Sequence, residues 1–108
     1  MQDRVINNTN KTIAATNTLI SEAIYTGQRA VLILKNTSTA GETISLGVGV
    51  EAKDGVGLVL KAGETITFSK DTGYNPTNER FNAVDDGAGT GTIAIYEEIM
   101  LKGDLNGS

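Results

Sequence analysis

The 108 residues contain no cysteine, no histidine and no tryptophan, and Pro76 is the sole proline. Without cysteine there are no disulfides, no thiol catalysis and no thiolate metal site. Without histidine, any catalysis falls to Ser, Thr, Lys, Tyr, Asp and Glu. Without tryptophan, a sugar has no indole on which to stack. Aromatic residues make up only 5% of the chain, so a core must be built from Ile, Leu, Val and Ala, with Phe68, Phe81 and some of Tyr25, Tyr74 and Tyr96 as its bulky members. Basic charge is also scarce. Arg4, Lys11, Arg29, Lys35, Lys53, Lys61, Lys70, Arg80 and Lys102 are scattered, and the net charge of −4 repels phosphate backbones and anionic lipid. Neither nucleic acid nor membrane is expected as a partner. The first residues have neither the basic end nor the apolar centre of a secretory signal, and no stretch approaches the ~18–20 apolar residues that span a bilayer. The chain therefore reads as soluble, made in the cytoplasm and either kept there or carried out as part of an assembly.

What is present is glycine, thirteen of them, and short aliphatic runs between polar turns. A chain of this length has room for one domain and, on folding, buries roughly two-thirds of the surface it exposes unfolded. The organising block is 31–68. Val31, Leu32, Ile33 and Leu34 form a continuous apolar run, the pattern of a central strand covered on both faces. From Thr43 the alternation is strict: Ile44, Leu46, Val48 and Val50 share one face, with Thr43, Ser45, Gly47 and Gly49 on the other. After Asp54-Gly55, Val56, Leu58 and Leu60 alternate likewise, and Ile66 and Phe68 repeat the pattern after Ala62-Gly63. Hairpins sharing one apolar face make half of a sandwich.

Residues 1–16 are polar and rich in Asn and Thr, an N-terminal arm or an edge strand. In 16–25, Leu19, Ile20, Ala23 and Ile24 fall at helical spacing, while the Thr, Ile and Tyr content favours a strand. The stretch 71–79 reads as an exposed loop. Phe81 and Ala83 begin another strand, and a glycine-rich turn leads to a long last one in which Ile93, Ile95 and Ile99 share a face. Glu97 interrupts that face, which places it at the rim of the sheet. Residues 102–108 have no periodicity and read as a flexible tail. The whole predicts an all-β protein, an antiparallel β-sandwich of seven or eight strands over 17–101, of jelly-roll or immunoglobulin-like connectivity.

Few residues invite a chemical reading. The thirteen acidic residues are spread through turns and strand ends, and they read as solvated surface rather than as the paired carboxylates of a glycosidase. Glu97 and Glu98, being adjacent in a strand, point to opposite faces and are poorly placed for shared work. Asp85-Asp86-Gly87 resembles part of a calcium loop, without the spacing of an EF-hand, and is also ordinary turn chemistry. No catalytic residue, cofactor or metal ligand is assigned. Asn36-Thr37-Ser38 matches a glycosylation acceptor but reads as a polar turn. Gly47 and Gly49 leave one face of their strand nearly bare, either to let another backbone or sheet approach or to permit bulge and twist. Tyr74, in the long loop, offers a large contact area at low entropic cost.

The runs 30–38 (AVLILKNTS), 44–47 (ISLG), 57–68 (GLVLKAGETITF) and 92–97 (TIAIYE) resemble, over roughly 29–98, small β-sandwich structural proteins of tailed phages and other icosahedral viruses: capsid decoration proteins, head-fibre or spike bases, and vertex proteins. The resemblance is one of pattern, with no diagnostic motif. It implies a non-enzymatic virion component, made in the host cytoplasm, which sits on a major capsid or other virion protein. Such a component is commonly a symmetric homo-oligomer, a trimer above all, and stabilises the shell or displays an attachment surface. The alternative expectation is a carbohydrate-binding or adhesin-like β-sandwich module.

Overall fold

The computed structural model describes residues 4–22, 27–69, 79–87 and 89–101. It contains eight strands: β1 (Arg4–Ile13), β2 (Thr18–Ser21), β3 (Gly27–Asn36), β4 (Ile44–Val48), β5 (Leu58–Leu60), β6 (Thr65–Ser69), β7 (Phe81–Asp85) and β8 (Gly91–Leu101). Two four-stranded sheets run in the orders β1-β8-β3-β6 and β2-β7-β4-β5, with every pairing antiparallel. This is the strand order of an eight-stranded jelly roll rather than the immunoglobulin arrangement. Residues 18–21 form a strand, and the polar stretch 4–13 pairs along its whole length with β8 as an edge strand.

Consecutive strands mostly cross from one sheet to the other, and only β4 and β5 are paired neighbours in sequence. The expected series of hairpins is thus replaced by crossovers. Alternation dictates which side of a strand is apolar, but not which strand lies beside it. The inner faces supply Ile13, Leu32, Leu34, Ile44, Phe81, Ala83 and Ile93, all fully buried, and the Phe68 and Phe81 rings meet at 5.2 Å between centroids.

Three local expectations need correcting. Of the apolar run 31–34 in β3 only Leu32 and Leu34 are buried, while Val31 and Ile33 lie half-buried on the outer face, so the run is not covered equally on both sides. The alternation from Ile44 continues in β4 only to Val48, and Val50 is 62% exposed. Val56 lies outside β5 and is 58% exposed. The chain between them turns back over the outer face of β4, where Ser45 Oγ accepts the Gly55 amide (2.9 Å) and the Val50 carbonyl accepts Asn82 Nδ2 (2.7 Å). That return explains why Ser45 and Gly47, on the nominally polar face, are buried.

Candidate functional site

Two β-bulges shape the end of the sandwich where β3 begins and β8 ends. In β3 the register against β8 slips between Arg29 and Val31, and in β2 the register against β7 slips between Leu19 and Ser21. An extra residue reverses the in-out parity of a strand. Arg29 therefore joins Leu32 and Leu34 on the inner face, and Ser21 faces inward opposite it.

Arg29 is 0% exposed, the largest fully buried side chain among the described residues. Its Nε donates to Glu97 Oε2 at 2.9 Å. Nη1 donates to the Glu79 carbonyl (2.9 Å), and Nη2 to Ser21 Oγ (2.7 Å) and the Glu22 carbonyl (2.8 Å). Ser21 Oγ in turn donates to Glu97 Oε2 (2.5 Å), while Asn7 Nδ2 reaches Glu97 Oε1 (3.2 Å). The guanidinium carbon lies 5.2 Å from the centroid of the Phe81 ring, within cation–π range. Burial opposes ionisation of Glu97, but hydrogen bonds from Ser21, Asn7 and Arg29, together with the Arg29 charge, outweigh it and hold the carboxyl below the usual glutamate range. Glu97 is thus at the centre of a buried network and not at a rim. The inward charge is tolerated because the bulge delivers a counter-charge.

This network resembles a nucleophile beside a base, yet its chemistry is closed. The Ser21 hydroxyl is engaged as both donor and acceptor, and the Glu97 oxygens accept three donors. Four strands, β1, β2, β3 and β8, and the segment preceding β7 meet here, so the cluster fastens one sheet to the other. Glu98 points away from Glu97 and accepts the Tyr96 hydroxyl (2.7 Å).

At the opposite end the acidic residues also hold turns. Asp85 is 2% exposed. Its Oδ2 accepts the Gly89 amide (2.7 Å), while its Oδ1 has no hydrogen-bond partner and occupies the space a Cβ on Gly91 would need, 2.7 Å away. Asp86 instead accepts the Thr43 amide (3.0 Å), and Glu42, 8% exposed, accepts the Thr90 hydroxyl. These three carboxylates, expected at the solvated surface, include two that are buried. Asp85 and Asp86 diverge rather than converge, and no metal-holding group of three or more such side chains occurs among the described residues. Asn36, at the glycosylation-like triplet, is fully buried, its Nδ2 donating to the carbonyls of Glu42 (2.8 Å) and Leu60 (2.9 Å).

Of the expected contact residues, Tyr74 lies outside the described residues. A Cβ on Gly47 would come within 2.5 Å of the Val50 carbonyl oxygen and 2.8 Å of the Ala52 amide, so the backbone approaching Gly47 is the chain's own. Gly49 has φ 74° and sits against the Glu79 carboxylate. Beside them, β5 ends opposite Leu46, leaving the last residues of β4 without a β5 partner. An apolar hollow of about 790 Å³ opens there, walled by Leu46, Val48, Leu58 and Phe68, with Val50 and Val56 at its mouth and Glu51 and Lys53 on the rim. Sequence reasoning did not find the Arg29 network, because a bulge is invisible to a period count. Its one signal was Glu97 standing in the line of Ile93, Ile95 and Ile99.

No family model matches the chain, and no curated protein matches it. Among solved structures it is similar to a chain from "Bacillus endospore appendages form a novel family of disulfide-linked pili", with a TM-score of 0.47, 19% identity, and coverage of 94% of this chain and 91% of that one. That likeness is too slight to bear on function, and these 108 residues, having no cysteine, contain no means of disulfide linkage.

Proposed function

We propose that this chain is a non-enzymatic structural protein that acts by association, specifically a component of a virion surface that decorates a capsid or forms the base of a spike or vertex. The strand order carries this reading. The eight-stranded jelly roll is an architecture on which viral capsid domains are built, and the pattern resemblance over 29–98 points the same way. The warrant is one of fold-level analogy. The commitment of the buried Arg29, Ser21 and Glu97 to one another fits a module whose polar interior serves rigidity. The test is to add the purified chain to capsids lacking it and measure bound protein by sedimentation. Saturable binding at a fixed stoichiometry is the expected result. No binding, together with a positive glycan array with or without calcium, would replace this reading with the lectin-like use of the same architecture.

A further inference from the structure

The outer face of the β1-β8-β3-β6 sheet carries a second hollow, and its walls follow from the register. Ile93 and Ile95 are buried against the other sheet, so Ala94 and Tyr96 point the other way. On one side Asn8 stands opposite Tyr96 and Asn10 opposite Ala94; on the other, Ile33 and Lys35 stand opposite the same two residues. Six side chains thus form two rows of three on one face. Ala94, in the middle of its row, is too small to fill the space between its neighbours, and a hollow of about 310 Å³ opens over it. That is the lower end of the range that holds small ligands.

Each wall has its own chemistry. Ile33 and Ala94 give an apolar floor. Tyr96 donates its hydroxyl to Glu98 (2.7 Å), the next residue of β8 on this face, which draws the ring away from Ala94 and holds it as a side wall. Asn8, Asn10 and Lys35 are exposed, and their side chains have no hydrogen-bond or ion-pair partner among the described residues. Lys35 is the one charged residue of the lining.

We infer that this hollow binds one residue of an acidic saccharide, a sugar ring bearing a carboxylate. Such a ring has an apolar C–H face that packs on an aromatic side chain, here a tyrosine in a chain without tryptophan, and hydroxyls for which amides are both donors and acceptors. Lys35 supplies the counter-charge for the carboxylate, and Glu98 repels it from the far side of Tyr96, so the charges favour one orientation. Binding here rests on the reading that the chain displays an attachment surface, and names the class of molecule it attaches to.

The experiment is an NMR titration of the isotope-labelled chain with glucuronate, with glucose, which carries a hydroxymethyl group in place of the carboxylate, and with acetate, a carboxylate without the ring. Glucuronate should give saturable amide shifts confined to 8–10, 33–35 and 94–96. Glucose should bind about two- to fivefold more weakly, the worth of one exposed ion pair, and acetate should not saturate. Lys35→Gln should reduce glucuronate to the affinity of glucose. Ala94→Leu fills the hollow and should abolish both, with the rest of the spectrum in place. No saturable shifts with either sugar, shifts centred elsewhere, glucuronate binding unchanged in Lys35→Gln, or a response that acetate reproduces would overturn the site. Failed capsid binding would overturn the virion reading and leave these shifts untouched.

Discussion

At the scale of single residues, the heaviest consequence attaches to Arg29. Removing one partner of a buried ion pair strands the other, at a cost of roughly 3–5 kcal/mol, whereas replacing both with apolar groups is often near neutral. Arg29→Met should therefore lower the urea unfolding free energy by an amount of that order, and Arg29→Met combined with Glu97→Met should recover most of it. Acid acts on the same pair. Because the folded state holds the Glu97 carboxyl below its ordinary range, the unfolded chain binds the proton more readily. The stabilisation is complete above the unfolded glutamate value of about 4.3 and is lost as pH falls through the lower folded value. Urea midpoints measured from pH 6 downward should thus fall more steeply in the unaltered chain than in the double variant. Glycines offer a separate contrast. Gly47→Ala drives a Cβ into the Val50 carbonyl and the Ala52 amide and should cost about 1–3 kcal/mol, as overpacking does. Gly87→Ala meets nothing within 4 Å and should leave the thermal midpoint within the scatter of a neutral surface change.

At the scale of elements, β7 illustrates what alternation can and cannot reveal. Phe81 and Ala83 mark its inner face, but Asn82 and Val84 on the other side are buried as well, partly because the Val50 carbonyl comes down onto Asn82. Amide exchange should accordingly be slowest in β7 and in its inner-strand counterparts β3 and β8, and distinctly faster in β1, whose side chains from Asn8 to Thr12 are exposed. Equal protection of β1 and β7 by mass spectrometry would contradict this ranking. The strands themselves were legible from the sequence because Ile, Val, Leu and Thr alternate where one face is dry: 65–69 falls where the pattern places it, 81–85 and 91–101 each take in one residue of the turn expected between them, and 44–48 stops short of the expected Val50. The pairings were not, since an apolar face carries no address for its neighbour. The interior network was hidden for a third reason. Arg29 lies out of phase with Leu32 and Leu34 until a bulge restores it, and a period count treats a lone arginine before an apolar run as surface.

At the scale of the whole molecule, the order β1-β8-β3-β6 joins the two ends of the chain. Arg4 pairs with Met100 and Ile13 with Gly91, so the first strand has no sheet partner until the last has been placed. β8 has β1 on one side and β3 on the other, which makes it the strand on which that sheet closes. Loop-closure entropy must be met before such contacts contribute, and folds dominated by distant pairings reach the native state in milliseconds to seconds rather than microseconds. Stopped-flow refolding should therefore resolve the main phase directly. Because β8 must be in place before β1 and β3 can both pair, Ile93→Val in the core of β8 should slow folding, while Thr9→Ala on the exposed edge of β1 should leave the folding rate nearly unchanged. Refolding complete within the instrument dead time, or equal slowing by the two substitutions, would mean that the sheet does not close on β8 and that association of the other sheet, β2-β7-β4-β5, nucleates the sandwich.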